Sequence, residues 1–166
     1  MKLRCIIVDD CPIQRAMVHK LVCNNSNLTL IGEFSNAVET KNFLSYTTVD
    51  LLFLDIEMPI LNGFDFLDIL KIKPQVIFIT AKSDYAVKAF DYEATDYIQK
   101  PITHPRFKLA VIKALKKQLL LNEPSSDDVD YIFIKCNLKN LKVFTSKINY
   151  LEAYGDYVKV ITDHEN

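Results

Sequence analysis

Short, unbroken apolar runs recur through the first two thirds of the chain, and four of them stop on a polar residue of chemical interest. Arg4-Cys5-Ile6-Ile7-Val8 ends at Asp9-Asp10, Leu51-Leu52-Phe53-Leu54 at Asp55, Val76-Ile77-Phe78-Ile79 at Thr80, and the shorter Asp96-Tyr97-Ile98-Gln99 at Lys100. Leu28 to Phe34 reads as one more strand. Apolar runs that do not alternate with polar residues belong to strands buried on both faces. Between them lie helical patterns. Pro12 opens the first, a position where its missing N–H is not needed, and Ile13, Met17, Val18 and Leu21 offer it an apolar stripe. Ala37 to Leu44 and Phe64 to Leu70 read as the next two helices. Ser83 or Asp84 is placed to cap a fourth, holding Ala86, Val87 and Phe90. Phe107 to Leu121 is the last, with Val111, Leu115 and Leu119 on one stripe. Strands alternating with helices predict an α/β fold, a five-stranded parallel doubly wound sheet with right-handed crossovers.

The pattern changes near Asn122. Glu123-Pro124-Ser125-Ser126-Asp127-Asp128 is polar, acidic and carries a helix breaker, so 123–130 reads as a linker after a domain over 1–122. Beyond it, Tyr131–Ile134, Leu141–Phe144, Ile148–Leu151 and Tyr157–Ile161 look like short strands. Residues 131–166 therefore form a β-rich segment, too small to bury much core of its own. The charge is balanced, 20 Lys+Arg against 21 Asp+Glu, so no general basic field draws the chain to nucleic acid. From Glu123 onward five Lys face eight acids, a net of −3. Apolar runs are far shorter than the roughly 20 residues a membrane span needs. The start lacks the long apolar stretch of a secretory signal. Together these predict a cytoplasmic protein with no membrane partner.

In a doubly wound sheet the carboxyl ends of the strands form the ligand crevice. The fold thus brings Asp9, Asp10, Asp55, Thr80 and Lys100 to one edge. Clustered carboxylates repel and raise one another's pKa values, a conflict that a hard, oxygen-seeking cation such as Mg²⁺ relieves. A hydroxyl at Thr80 and an ammonium at Lys100 would face any anion beside that metal. Metal, lysine and hydroxyl around a carboxylate make a site for phosphoryl transfer onto it. Asp55, ending the strand expected at the centre, is the acid placed to receive the group.

These residues resemble those of response-regulator receiver domains, the CheY-like proteins of two-component signalling. The matching residues are Asp9-Asp10, Asp55-Ile56-Glu57-Met58-Pro59 continuing to Asn62-Gly63, Thr80-Ala81 and Lys100-Pro101. The resemblance implies a flavodoxin-like sheet of order 2-1-3-4-5. It implies Asp55 as phosphoacceptor, and Mg²⁺ held by Asp9, Asp10, Asp55 and the backbone carbonyl of Glu57. Lys100 would contact the phosphoryl group, Thr80 would sense it, and Ala81 would keep its approach open. Tyr97 matches the switch aromatic, and the Lys100–Pro101 bond is expected cis. A sensor histidine kinase is the implied donor, and the face of the fourth helix, fifth strand and last helix the implied homodimer surface. The stretch Ile148-Asn149-Tyr150-Leu151-Glu152-Ala153-Tyr154-Gly155-Asp156-Tyr157-Val158-Lys159-Val160 is similar to the start of a LytTR DNA-binding domain. The receiver motif Asp84-Tyr85-Ala86-Val87-Lys88-Ala89-Phe90 agrees with that family. Residues 131–166 would be its N-terminal part, with DNA contacted by the full-length domain.

Other readings compete. A haloacid-dehalogenase-type phosphatase also uses a strand-end aspartate and Mg²⁺, but needs its nucleophile early as D-x-D and its acidic pair late, the reverse of the order here. An interaction module independent of phosphorylation would have no use for Asp55, Thr80 and Lys100 together. Cys5, Cys11, Cys23 and Cys136 form no C-x-x-C pair and are expected as free thiols, Cys5 in the core. His19, His104 and His164 lack partners at metal or triad spacing, and Tyr85 and Tyr92 read as packing aromatics.

Overall fold

A computed structural model describes residues 2–71, 73–122, 131–136, 139–154 and 157–162. The chain divides into two units, Met1–Gln118 and Leu119–Asn166. In the first, β1 (Leu3–Val8), α1 (Pro12–Cys23), β2 (Leu28–Phe34), α2 (Ala37–Leu44), β3 (Leu51–Leu54), α3 (Gly63–Asp68), β4 (Gln75–Thr80), α4 (Ala86–Asp91) and β5 (Asp96–Gln99) follow in order, and α5 (His104–Asn122) starts there and runs past Gln118. All strand pairs are parallel, in the order β2-β1-β3-β4-β5. This is the flavodoxin-like sheet the sequence implies.

The strands are apolar throughout because each face packs against its own helical layer. Cys5, Ile7, Leu51, Phe53, Ile77, Ile79 and Ile98 meet Val18 and Val22 of α1 and Phe107, Ala110, Val111 and Ala114 of α5. The intervening residues Ile6, Val8, Leu52, Leu54, Val76 and Phe78 meet Ala37, Phe64, Phe66, Leu67 and Ala89 of α2, α3 and α4. The two-residue period of a strand thus sorts the core into two slabs. Phe53 stacks on Phe107 with ring centroids 5.2 Å apart on one side. Phe64 gathers Phe78, Tyr85 and Tyr92 on the other, as packing aromatics should.

Three helix readings need correction. Of the stripe read for α1, Val18 is buried and Leu21 packs against the core beside Val22, whereas Ile13 and Met17 are exposed, because four-residue steps along this helix yield two apolar rows and the sheet covers one. Neither Ser83 nor Asp84 caps α4. Tyr85 holds the cap position without a side-chain bond, and the Ser83 hydroxyl donates to Asp84. On α5, Val111 is buried and Leu115 partly so, whereas Leu119 is exposed.

In the second unit, β6 (Tyr131–Cys136) pairs antiparallel with β7 (Lys139–Phe144), and β8 (Ile148–Tyr154) with β9 (Tyr157–Thr162), a 3-10 turn at Thr145–Lys147 lying between. These are two separate two-stranded sheets. The segment read as a linker, 123–130, and His164 lie outside the described residues.

Candidate functional site

The polar strand-end residues converge at the carboxyl edge of the sheet. β1 delivers Asp9, 2 % exposed, and β3 delivers Asp55, 6 % exposed, while Asp10 turns outward into solvent. One oxygen from each of the three carboxylates lies within 4.8 Å of the others. The Lys100 ammonium reaches across from the end of β5 and donates to Asp9 Oδ2 and Asp55 Oδ2, both at 2.9 Å. Lys100 is itself only 11 % exposed.

The carboxylates are fixed by backbone. Asp9 Oδ1 accepts the Cys11 N–H at 2.9 Å, and the Arg15 guanidinium donates to the Asp9 carbonyl at 2.6 Å. Asp55 Oδ1 accepts the Glu57 N–H at 3.3 Å, and the Asp55 N–H donates to Val8, locking β3 beside β1. Burial holds the Asp55 carboxyl above its ordinary range; the Lys100 hydrogen bond and charge oppose this, and the Asp9 charge adds to it. Burial alone would lower the Lys100 ammonium, but the bonds and charges of Asp9 and Asp55 outweigh it, so its pKa is raised and it stays protonated.

Thr80 is fully buried at the end of β4. Its carbonyl accepts the Lys100 N–H at 2.8 Å, which ties β4 to the lysine, and its hydroxyl accepts the Lys82 N–H at 3.5 Å. Ala81 is exposed beside it. The Tyr97 hydroxyl donates to the Lys82 carbonyl, so this aromatic is bound to the loop that follows Thr80. The Lys100–Pro101 bond is cis.

Around the site lie contacts that the sequence does not report, although Glu57, Lys82 and Gly63 are themselves read there as flanking or motif residues. Lys82 and Glu57 form an ion pair of 2.7 Å beside the acceptor. Arg106 donates to Asp96 and to the carbonyl of Tyr97, and Lys113 also pairs with Asp96. Gly63 is the least conspicuous. Its N–H donates to Ile56 at 2.9 Å, and a Cβ there would stand 2.6 Å from the Asp55 carbonyl oxygen. The Asn62-Gly63 pair carries a readable signal, since Asn62 caps α3 by accepting from Phe64 and Asp65. His19, by contrast, pairs with Glu33, away from the acids.

A five-stranded 2-1-3-4-5 sheet with three acids and a lysine at its carboxyl edge defines a receiver domain. The family model for the response regulator receiver domain matches residues 5–112, and the chain belongs to that family. It is 34 % identical over 132 residues to the transcriptional regulatory protein BtsR of Escherichia coli, covering 78 % of this chain and 53 % of that protein. It is 40 % identical over 114 residues to the sensory transduction protein LytR of Staphylococcus epidermidis, covering 67 % and 45 %. The chain thus spans about half the length of these curated relatives. Among solved structures, the response regulatory domain of mrkE from Klebsiella pneumoniae superposes with a TM-score of 0.65 at 31 % identity, over 71 % of this chain and 99 % of that one. Among the described residues, no helix is long and apolar enough to cross a membrane.

Proposed function

We propose that this chain is the phosphorylation-controlled part of a two-component response regulator whose output is transcriptional, with Asp55 as phosphoacceptor and Mg²⁺ as cofactor. The observation that carries the reading is the Lys100 ammonium 2.9 Å from both Asp9 and Asp55, in a recess of three carboxylates. The donor set suits Mg²⁺: all ligating atoms are hard oxygens, and exposed Asp10 leaves one side open to water. Asp9, Asp10, Asp55 and the Glu57 carbonyl would hold the ion, which when bound would supply neutralising charge for phosphoryl oxygens.

The chain's own residues do the rest. Asp55 provides the attacking oxygen, Lys100 pairs with the phosphoryl group once it leaves its present bridge, and Ala81 leaves the approach open. Thr80 turns its hydroxyl to the new anion, and Tyr97, tied to the Lys82 carbonyl, follows that loop. The result is a population shift between two packings. A sensor histidine kinase is the physiological donor. Exposed Val87 and Phe90 on α4 and Leu109 and Ile112 on α5 support a homodimer through the α4-β5-α5 face. The name of BtsR, a transcriptional regulatory protein, with the LytTR-like segment after 131, supports a DNA-binding output. The acid excess after Glu123 gives these residues no basic footprint for DNA. The protein acts in the cytoplasm and turns over no metabolite, only its own acyl phosphate.

Incubation with acetyl phosphate or phosphoramidate and Mg²⁺ should add one phosphoryl group by intact mass, and Asp55→Asn should abolish it. A mass shift that survives in Asp55→Asn rules out this acceptor. Steady hydrolysis of p-nitrophenyl phosphate would favour the phosphatase reading instead.

A further inference from the structure

Asp9 is held at each of its polar atoms. Its N–H donates to the Phe34 carbonyl at 3.2 Å. Oδ1 accepts the Cys11 N–H and Oδ2 the Lys100 ammonium, both at 2.9 Å. The carbonyl needs a partner of another kind. β1 ends at Val8, so the Asp9 carbonyl lies beyond the sheet's ladder, in a residue only 2 % exposed, where a missing partner is costly. Arg15 supplies it: the guanidinium Nη1 donates to this oxygen at 2.6 Å. Arg15 sits one turn into α1, and its own N–H donates to the Cys11 carbonyl at 2.9 Å. Backbone and side chain of one residue thus grip the turn that carries Asp9, Asp10 and Cys11.

The choice of a guanidinium is unexpected in this setting. Arg15 bonds to one of three residues whose carboxylates crowd together, yet among the described residues it forms no ion pair with any acid. Arginine ordinarily favours a carboxylate, which it can grip with two bonds. Here its charge goes to a backbone oxygen, and the carboxylate oxygens are left to Lys100 and to an incoming cation. Asp55 has no such clamp, since its Oδ1 accepts only the Glu57 N–H at 3.3 Å. Of the two buried acids, Asp9 is therefore the one whose position is fixed in advance. Groups that orient a metal ligand without touching the ion govern how tightly the ion is held.

We propose that Arg15 is a positioning residue for Mg²⁺: its bond to the Asp9 carbonyl fixes the Asp9 carboxylate where the ion needs it, with no contact to the ion or to the phosphoryl group. The proposal rests on the reading of Asp9, Asp10 and Asp55 as the cation site. Charge and position predict opposite signs. A guanidinium beside the acids repels a divalent cation, so if only its field mattered, removing it would tighten Mg²⁺ binding. If its bond places Asp9, removing it weakens Mg²⁺ binding.

Isothermal titration calorimetry of the full chain with Mg²⁺ alone reads the sign. Arg15→Met and Arg15→Gln should raise the Kd for Mg²⁺ about tenfold or more, the loss that follows when a ligand is no longer oriented. Arg15→Lys keeps a charged donor and should stay within about threefold of the wild type. At saturating Mg²⁺ all three should take up the phosphoryl group of acetyl phosphate within about twofold of the wild-type rate, the deficit emerging only as Mg²⁺ is lowered. Unchanged or tighter Mg²⁺ binding in Arg15→Met and Arg15→Gln overturns the proposal. So does a rate that stays low at saturating Mg²⁺, which would put Arg15 on the phosphoryl group. So does loss of the wild-type circular dichroism spectrum in both variants, which would make Arg15 a folding residue. If the wild type itself binds no Mg²⁺, the cation reading fails and the role of Arg15 with it.

Discussion

Replacing Gly63 by alanine tests whether the geometry of the acceptor depends on a missing side chain. The added Cβ would lie 2.6 Å from the Asp55 carbonyl oxygen, 3.0 Å from Ile56 Cα and 3.3 Å from Leu54 Cγ. Ordinary contact begins near 3.4 Å, so the backbone must open by about 0.8 Å (3.4 minus 2.6), and the closest atom is not a side chain that can swing aside. Crowding of this kind costs about 1–3 kcal/mol. Loss of the Gly63 N–H bond to Ile56 adds about 1 kcal/mol. Against this, alanine gains about 0.5–1 kcal/mol over glycine in a helix. The net is a destabilisation of about 2 kcal/mol, a fall of roughly 6–10 °C in melting temperature for a unit of this size. The same displacement moves the carbonyl of the phosphoacceptor itself. Since a misplacement of about 1 Å can cost about 10²-fold in rate, acetyl phosphate uptake should slow tenfold or more. Thermal circular dichroism and initial rates by intact mass read both effects. A Gly63→Ala protein that melts at or above the wild type and is phosphorylated at the same rate would refute the argument.

The remaining predictions concern titration. Asp96 is buried, and although burial would raise its pKa, hydrogen bonds from Arg106 and Lys113 outweigh it and hold the carboxyl below its ordinary value. A depressed folded pKa stabilises above the unfolded value of about 3.9 and is lost as pH falls through the folded pKa. Asp96→Asn should therefore cost about 1–2 kcal/mol at pH 7, and its denaturation midpoint should converge on that of the wild type below about pH 4; a gap that persists undiminished to pH 2.5 would remove the ion pairs as its cause. Cys5 is fully buried, and burial, with smaller contributions from Cys23 and Asp50, pushes its thiol up to about 12. With Cys11, Cys23 and Cys136 replaced by serine, Cys5 should resist a thiol reagent at pH 8 until urea unfolds the protein, and prompt labelling in the native state would contradict that burial.

What the sequence made legible follows from where its chemistry lies. Buried parallel strands need apolar residues on both faces, so their ends are the places where Asp9, Asp55, Thr80 and Lys100 break the pattern, and the same break marks both the fold and the site. Amphipathic helices carry less information. In α1, the rows Ile13–Met17 and Val18–Val22 are equally apolar, and only the sheet decides which is covered. Ser83 and Asp84 have the chemistry of a cap, but α4 starts after Tyr85, whose ring is drawn against Phe64, so tertiary packing displaced the local preference. The bonds of Arg106 to Asp96 and Tyr97 join α5 to β5, and no spacing rule along the chain reports which lysine or arginine of a helix will face which strand end. Gly63 illustrates the deeper limit. Its function is the absence of an atom, and that absence has meaning only once the Asp55 carbonyl is seen 2.6 Å from where a Cβ would stand.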